Sequence, residues 1–145
     1  MFANLLKTLL GPEPKDLTPS DARLAIAALL VRVARSDNDY AAAEIKKIDR
    51  VLATRYDLAP AQSVELRKQG EELEKEAPDT VRFTRAIKNA VLYADRLSVI
   101  EALWQIALAD GERDFQEDAL LRLAANLLGV SDVESASARR RIAAS

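Results

Sequence analysis

Apolar residues recur along this chain at three- and four-residue spacings, the signature of helices that bury one face. Phe2, Leu5, Leu6, Leu9 and Leu10 line one side of a short amphipathic segment, which Pro12 and Pro14 end. It reads as a docking helix over one edge of the core; a membrane-surface anchor would want more than the single Lys7 on its polar side. Thr18-Pro19-Ser20-Asp21 then suits a helix start, with Thr18 as cap and Pro19 in the first position. From Leu24 to Val33 almost no polar face remains before Arg32 and Arg35, as expected of a helix at the centre of a bundle. Ile45, Ile48, Val51 and Leu52 mark the next helix, opposite Lys46, Lys47, Arg50 and Arg55, which the pattern assigns to surface ion pairs of small value.

Pro60 opens a very polar helix over about 61–76, anchored by Val64, Leu66 and Leu73 and expected to be the most exposed, its EELEKE run a solvated face. Phe83, Ile87 and Val91 give a one-stripe helix. The most organised stretch follows, Arg96 to Leu128: an apolar helix through Leu97, Ile100, Leu103, Trp104 and Leu108, an acidic turn, and a helix expected to face the core with Leu120, Leu123, Leu127 and Leu128. Trp104 and Tyr93 read as packing residues. Gly129 suits a helix end, Ser131-Asp132 a last helix start, and Arg139, Arg140 and Arg141 a frayed, solvated tail. No run alternates with period two, so the expected fold class is all-α. The expected organisation is a short N-terminal helix and linker (1–17), one helical domain (18–141) and a tail (142–145).

A shift of 73 residues pairs Arg23 with Arg96, Leu24 with Leu97, Leu30 with Leu103, Ala34 with Ala107, Asp37 with Asp110 and Glu44 with Glu117. Two apolar helices, each followed by an acidic turn, thus form a sparse internal repeat. Two pseudo-equivalent hairpins around one core are the expected arrangement.

Composition narrows the chemistry. The 145 residues are 49% hydrophobic with only four Gly and five Pro, enough for one well-packed domain. Thirty per cent are charged, yet the formal net charge is −2, which provides no long-range attraction to nucleic acid or anionic lipid. Cys and His are both absent. That excludes disulfides, thiolate zinc sites, imidazole bases and Ser-His-Asp triads, and leaves oxygen donors for any metal, hence hard cations such as Ca²⁺ or Mg²⁺. No segment approaches the roughly 20 apolar residues of a membrane span, and the N-terminus lacks a secretory signature, so a cytoplasmic location is expected.

The runs ALLVRVARSD, FTRAIKN and RLSVIEALWQIALADGERDFQEDALLRLAANLLGVSD, in that order, resemble the TerB-like proteins of the tellurite-resistance group. The resemblance extends from about Ala22 to Ala138 and is closest in the second half, where A-L-W-x-x-A-x-A-D-G-E-x-D-x-x-E recurs. The first turn departs from the pattern, with Asn38 in place of the usual Gly and Ala41 where Asp is common. The resemblance implies an all-α bundle of about seven helices, a link to tellurite and stress resistance, a role in metal binding or sensing, and no enzymatic activity.

The acidic turns admit two readings. As a cation site, Asp37, Asp39 and Glu44 would converge with Asp110, Glu112 and Glu117, and a divalent ion would relieve the mutual repulsion of their carboxylates. As helix caps, Asp114-x-x-Glu117 forms a capping pattern, Gly111 ends the preceding helix, and Glu44 meets a helix dipole. An EF-hand is excluded, because counting from Asp110 puts Phe115 in the sixth place and Leu121 in the twelfth. Two functions follow: a non-enzymatic cation-binding protein, or a helical scaffold for a protein partner or a second copy of the chain. Neither involves nucleic acid or integral membrane contact.

Overall fold

A computed structural model describes residues 19–36, 40–76, 80–91, 93–109 and 115–144. These residues form seven helices and no strand: α1 (Pro19–Arg35), α2 (Ala42–Tyr56), α3 (Pro60–Glu76), α4 (Thr80–Ala90), α5 (Tyr93–Ala107), α6 (Phe115–Leu127) and α7 (Asp132–Ala144). The expected all-α fold is thus observed. The expected N-terminal helix, the Thr18 cap and the side chains of Phe83 and Tyr93 lie outside the described residues.

α1 is the axis of the bundle. From Leu24 to Ala34 every side chain except Arg32 is buried, and α2, α3, α4, α5 and α6 all pack on it. α5 is the second central helix, contacting α1, α2, α4, α6 and α7 through Val99, Ile100, Leu103 and Ile106. The 73-residue shift carries α1 onto α5, α2 onto α6, and the start of α3 close to the start of α7. In each half the first helix packs on the second, as expected of a hairpin, and most extensively on the third, so each hairpin extends to a three-helix unit, with α4 between the two copies in the chain.

Three expectations about faces are corrected. α3, expected to be the most exposed helix, is the closest neighbour of α1. Its buried stripe is Ser63, Leu66, Gly70 and Leu73, not Val64. Small residues let the two backbones approach, and at Gly70 an added Cβ would stand 3.0 Å from the carbonyl carbon of Ala27. Two glutamates of the EELEKE run are engaged rather than solvated: Glu74 pairs with Arg32 and Arg35 of α1, and Glu71 accepts from Tyr40 and pairs with Arg67 of its own helix.

α6 buries Leu121, Ala124, Ala125 and Leu128, whereas Leu123 is 45% exposed. The helix carries two leucine stripes one residue apart, and packing against α4, α5 and α7 selects the one flanked by alanines. The arginine-rich end is helical through Ala144, so neither 139–141 nor most of 142–145 is a frayed tail. Arg139 lies over the Trp104 ring at 5.5 Å, and Arg141 pairs with Glu101 at 3.3 Å.

Local chemistry sets the helix ends. Gly129 has φ +78°, and Val130 N–H donates to Ala125 O at 2.9 Å, closing α6 in a Schellman turn. Ser131 Oγ accepts from Glu134 N–H at 3.1 Å and starts α7. Gln62 and Glu44 occupy the third positions of α3 and α2, accepting from Ala59 N–H at 2.9 Å and Ala41 N–H at 3.3 Å. Since Ala41 has no side-chain acceptor, the second of these is half a capping box.

Candidate functional site

Of the six carboxylates expected to bind a cation, Asp37, Asp39, Asp110, Glu112 and the side chain of Glu117 lie outside the described residues. Glu44 is described. It is 1% exposed at the start of α2, with Oε1 on the Ala41 amide. Its negative charge also meets the positive end of the α2 dipole. Among the described residues no group of three or more Asp or Glu side chains is placed to hold a metal ion.

The segments flanking the two acidic turns nevertheless meet. α2 and α5 run antiparallel: Arg55 at the end of α2 donates to Ser98 Oγ near the start of α5, while Ala43 at the start of α2 lines one cleft with Leu108 and Ala109 beyond the end of α5. Ala43 follows the first turn by a few residues, and Ala109 directly precedes the second.

Beside the first turn, a charged seam joins α1, α2 and α3. Tyr40 hydroxyl donates to Glu71 Oε2 at 2.8 Å, and Arg67 reaches Glu71 at 3.1 Å and Asp49 at 2.6 Å. Glu74 receives Arg35 at 3.2 Å and Arg32 at 3.6 Å, while Arg32 also donates to the Glu74 backbone carbonyl at 3.4 Å and to Thr80 Oγ1 at 3.5 Å. Arg35 lies over the Tyr40 ring at 5.0 Å. Burial, the largest influence on Arg67, favours its neutral form, but Asp49 and Glu71 together outweigh it and raise its pKa. With the Arg67 side chain only 12% exposed, Arg67→Ala removes the partner of half-buried Asp49 and leaves Glu71 with the Tyr40 hydroxyl alone. The expected loss is roughly 1–3 kcal/mol in urea unfolding, below the full cost of a deeply buried pair because water reaches the seam. A loss under about 0.5 kcal/mol, the range of ordinary surface substitutions, would show that the seam does not hold α2 to α3.

Tyr40 adds a pH dependence. Its burial first, then its hydrogen bond to Glu71 and the charge of Glu71, push its phenol above the usual value of about 10. The folded chain therefore keeps this proton more tightly than the unfolded one. Stability from this group is present below about pH 10 and is lost as pH rises through the folded-state pKa. Tyr40→Phe should flatten the fall in stability above about pH 10; identical alkaline slopes in urea titrations of both proteins would refute this.

The sequence pattern did not reveal a second feature. Lys47, Arg50, Val51, Thr54 and Arg55 of α2 face Ser98, Glu101, Ala102 and Gln105 of α5 across a cleft of about 500 Å³. Lys47, Arg50 and Gln105 also line the neighbouring cleft of about 420 Å³ with Ala43, Lys46, Leu108, Ala109 and Ile142, so the two form one groove. Among the described residues Lys46, Lys47, Arg50 and Arg55 enter no ion pair, contrary to the expectation of surface pairing. The reason is local: the carboxylates of α2 itself are engaged elsewhere, Glu44 at its helix start and Asp49 by Arg67. Across the groove Glu101 pairs with Arg141. Arg55 is positioned by neutral groups alone, Ser98 Oγ and the Tyr56 hydroxyl at 3.3 Å, with its guanidinium 5.7 Å from the Tyr56 ring centre. The detectable signal was the helical stripe 43, 46, 47, 50, 51, 54, 55; what hid it was the nearby acids, which looked available as partners.

Comparison with known proteins agrees with this fold. The family model of tellurite resistance protein TerB matches residues 23–140. No curated protein matches the sequence, and no solved structure does.

Proposed function

The chain belongs to the TerB family, and on that premise we propose that it is a non-enzymatic cytoplasmic protein that binds or senses a divalent cation through its two acidic turns, in a stress or tellurite response. The observation that supports this reading is that Ala43, four residues after Asp39, and Ala109, directly before Asp110, line one cleft. Asp37, Asp39, Asp110, Glu112 and Glu117 would supply oxygen donors, the chemistry that Ca²⁺ and Mg²⁺ require. Glu44, buried against the Ala41 amide, holds the start of α2. Among the described residues no helix is long and apolar enough to cross a membrane.

Calorimetric titration of Ca²⁺, Mg²⁺ and Mn²⁺ tests the reading. Wild type should release or absorb heat and melt higher with one of these ions, by about 2.7 kcal/mol of added stability at a hundredfold excess over Kd. Asp110→Asn/Glu117→Gln should show neither. Silence from both proteins sinks the cation reading and leaves the second, an interaction scaffold, which is favoured by the uncompensated cations of the α2–α5 groove.

A further inference from the structure

We propose that the groove between α2 and α5 is the docking site for an acidic peptide segment of a partner protein. The inference goes beyond the cation reading and locates the surface that the scaffold reading requires. Four cations, Lys46, Lys47, Arg50 and Arg55, lie along one face of α2 over about 18 Å of helix measured from Ala43. Among the described residues the single lining carboxylate, Glu101, is matched by Arg141. The described lining of the groove therefore concentrates positive charge on a chain whose net charge is −2. The comparable cleft beside Trp104 carries both signs, Asp118 and Asp132 with Arg122 and Arg139, and selects no ligand by charge.

The walls choose among polyanions. Val51 and Ala102 line one end and Leu108 and Ile142 the other, so the charges alternate with apolar contacts suited to side chains as well as carboxylates. A bare polyphosphate would leave that apolar surface unused. Single-stranded nucleic acid is held by aromatic stacking as well as charge, and no aromatic residue among the described ones lines either cleft. Lys46 and Lys47 precede Arg50 by four and three residues, roughly 6 and 4.5 Å along the axis, and Arg55 follows it by five, roughly 7.5 Å; the first interval matches carboxylates three and four residues apart on an acidic helix. Arg55, already held by Ser98 and Tyr56, meets a carboxylate without being ordered anew.

The experiment titrates the full-length, isotope-labelled protein with a synthetic peptide of about sixteen residues, long enough as a helix to span the groove, carrying Glu at three- and four-residue spacings and two Leu anchors. EDTA is present throughout, so failure of the cation reading cannot affect the outcome. Amide shifts should map to α2 and α5, and affinity should fall with added salt. Lys47→Glu/Arg50→Glu should weaken binding about tenfold or more, as loss of complementary charge does, and Arg50→Gln, a milder change at an exposed site, should weaken it less. A Glu→Gln peptide should not bind. The proposal is overturned if affinity is unchanged in folded variants, if the shifts map elsewhere, if the peptide fails to bind, or if oligothymidylate or inorganic polyphosphate binds more tightly than the peptide.

Discussion

Trp104→Ala is expected to cost about 3–5 kcal/mol, the range for removing a buried aromatic side chain. Trp104 is 4% exposed in the last turn of α5, against the start of α7. Its indole N–H donates to Ser135 Oγ at 3.2 Å, and Arg139 covers the ring. Truncation would remove the largest side chain between the two helices, leave the buried Ser135 hydroxyl without this donor, and take the ring from beneath Arg139. The loss should be concentrated in α7, whose other anchors, Ala138 and the partly buried Ile142, are smaller or less enclosed. Trp104→Phe should lie between, since it restores apolar volume but not the hydrogen bond. Because this is the only tryptophan, unfolding must be followed by circular dichroism. A cost below about 1 kcal/mol, close to that of an average point substitution, would mean that α7 is held elsewhere.

Gly70→Leu should be at least as damaging, with a predicted loss of about 3 kcal/mol or more from overpacking. The site is a close approach of α3 to α1. A Cβ there would meet Ala27 Cβ and carbonyl carbon at 3.0 Å and Ala28 N at 3.1 Å. These are backbone atoms and an alanine methyl, with no flexible end to swing aside. Even Gly70→Ala sets a helix-propensity gain of about 1 kcal/mol against a contact that can be relieved only by separating two helices. The expected sign is destabilising. Lys68→Leu, at an exposed position of the same helix, is the control and should stay within about 0.5 kcal/mol. If Gly70→Ala raises the urea midpoint instead, the close crossing of α1 and α3 is wrong.

Both substitutions concern contacts between parts of the chain remote in sequence, and this is where reading the sequence began to fail. Periodicity was enough for α1, because an almost unbroken apolar run from Leu24 to Val33 can be satisfied only by burial on all sides. It was enough for the all-α fold, for Pro60 at the start of α3 and for Gly129 after α6, since these depend on local backbone chemistry. It failed on α6, where Leu123 and Leu121 offer nearly equivalent stripes and only the neighbouring helices choose. It failed also on α3, where charged residues suggested exposure although the buried stripe uses Ser63 and Gly70. Small residues carry little hydrophobic signal; their value lies in the backbone approach they permit.

The candidate sites divide in the same way. The acidic turns were visible as runs of carboxylates, and Glu44 was legible as a first-turn acid, a role its Ala41 contact bears out. The basic groove was not, because Lys46, Lys47 and Arg50 sit within a turn of Glu44 and Asp49 along the chain. What frees them is Arg67, seventeen or more residues away, which takes Asp49 for itself. Chain order alone therefore determined which segments are helical, where they stop, the family, and the inventory of charges. Tertiary packing alone decided which stripe each ambiguous helix buries, how closely α1 and α3 approach, and which charges remain uncancelled. The physical reason is that propensity and capping act within a turn or two of helix, whereas burial and ion pairing depend on distances in space that local sequence does not contain.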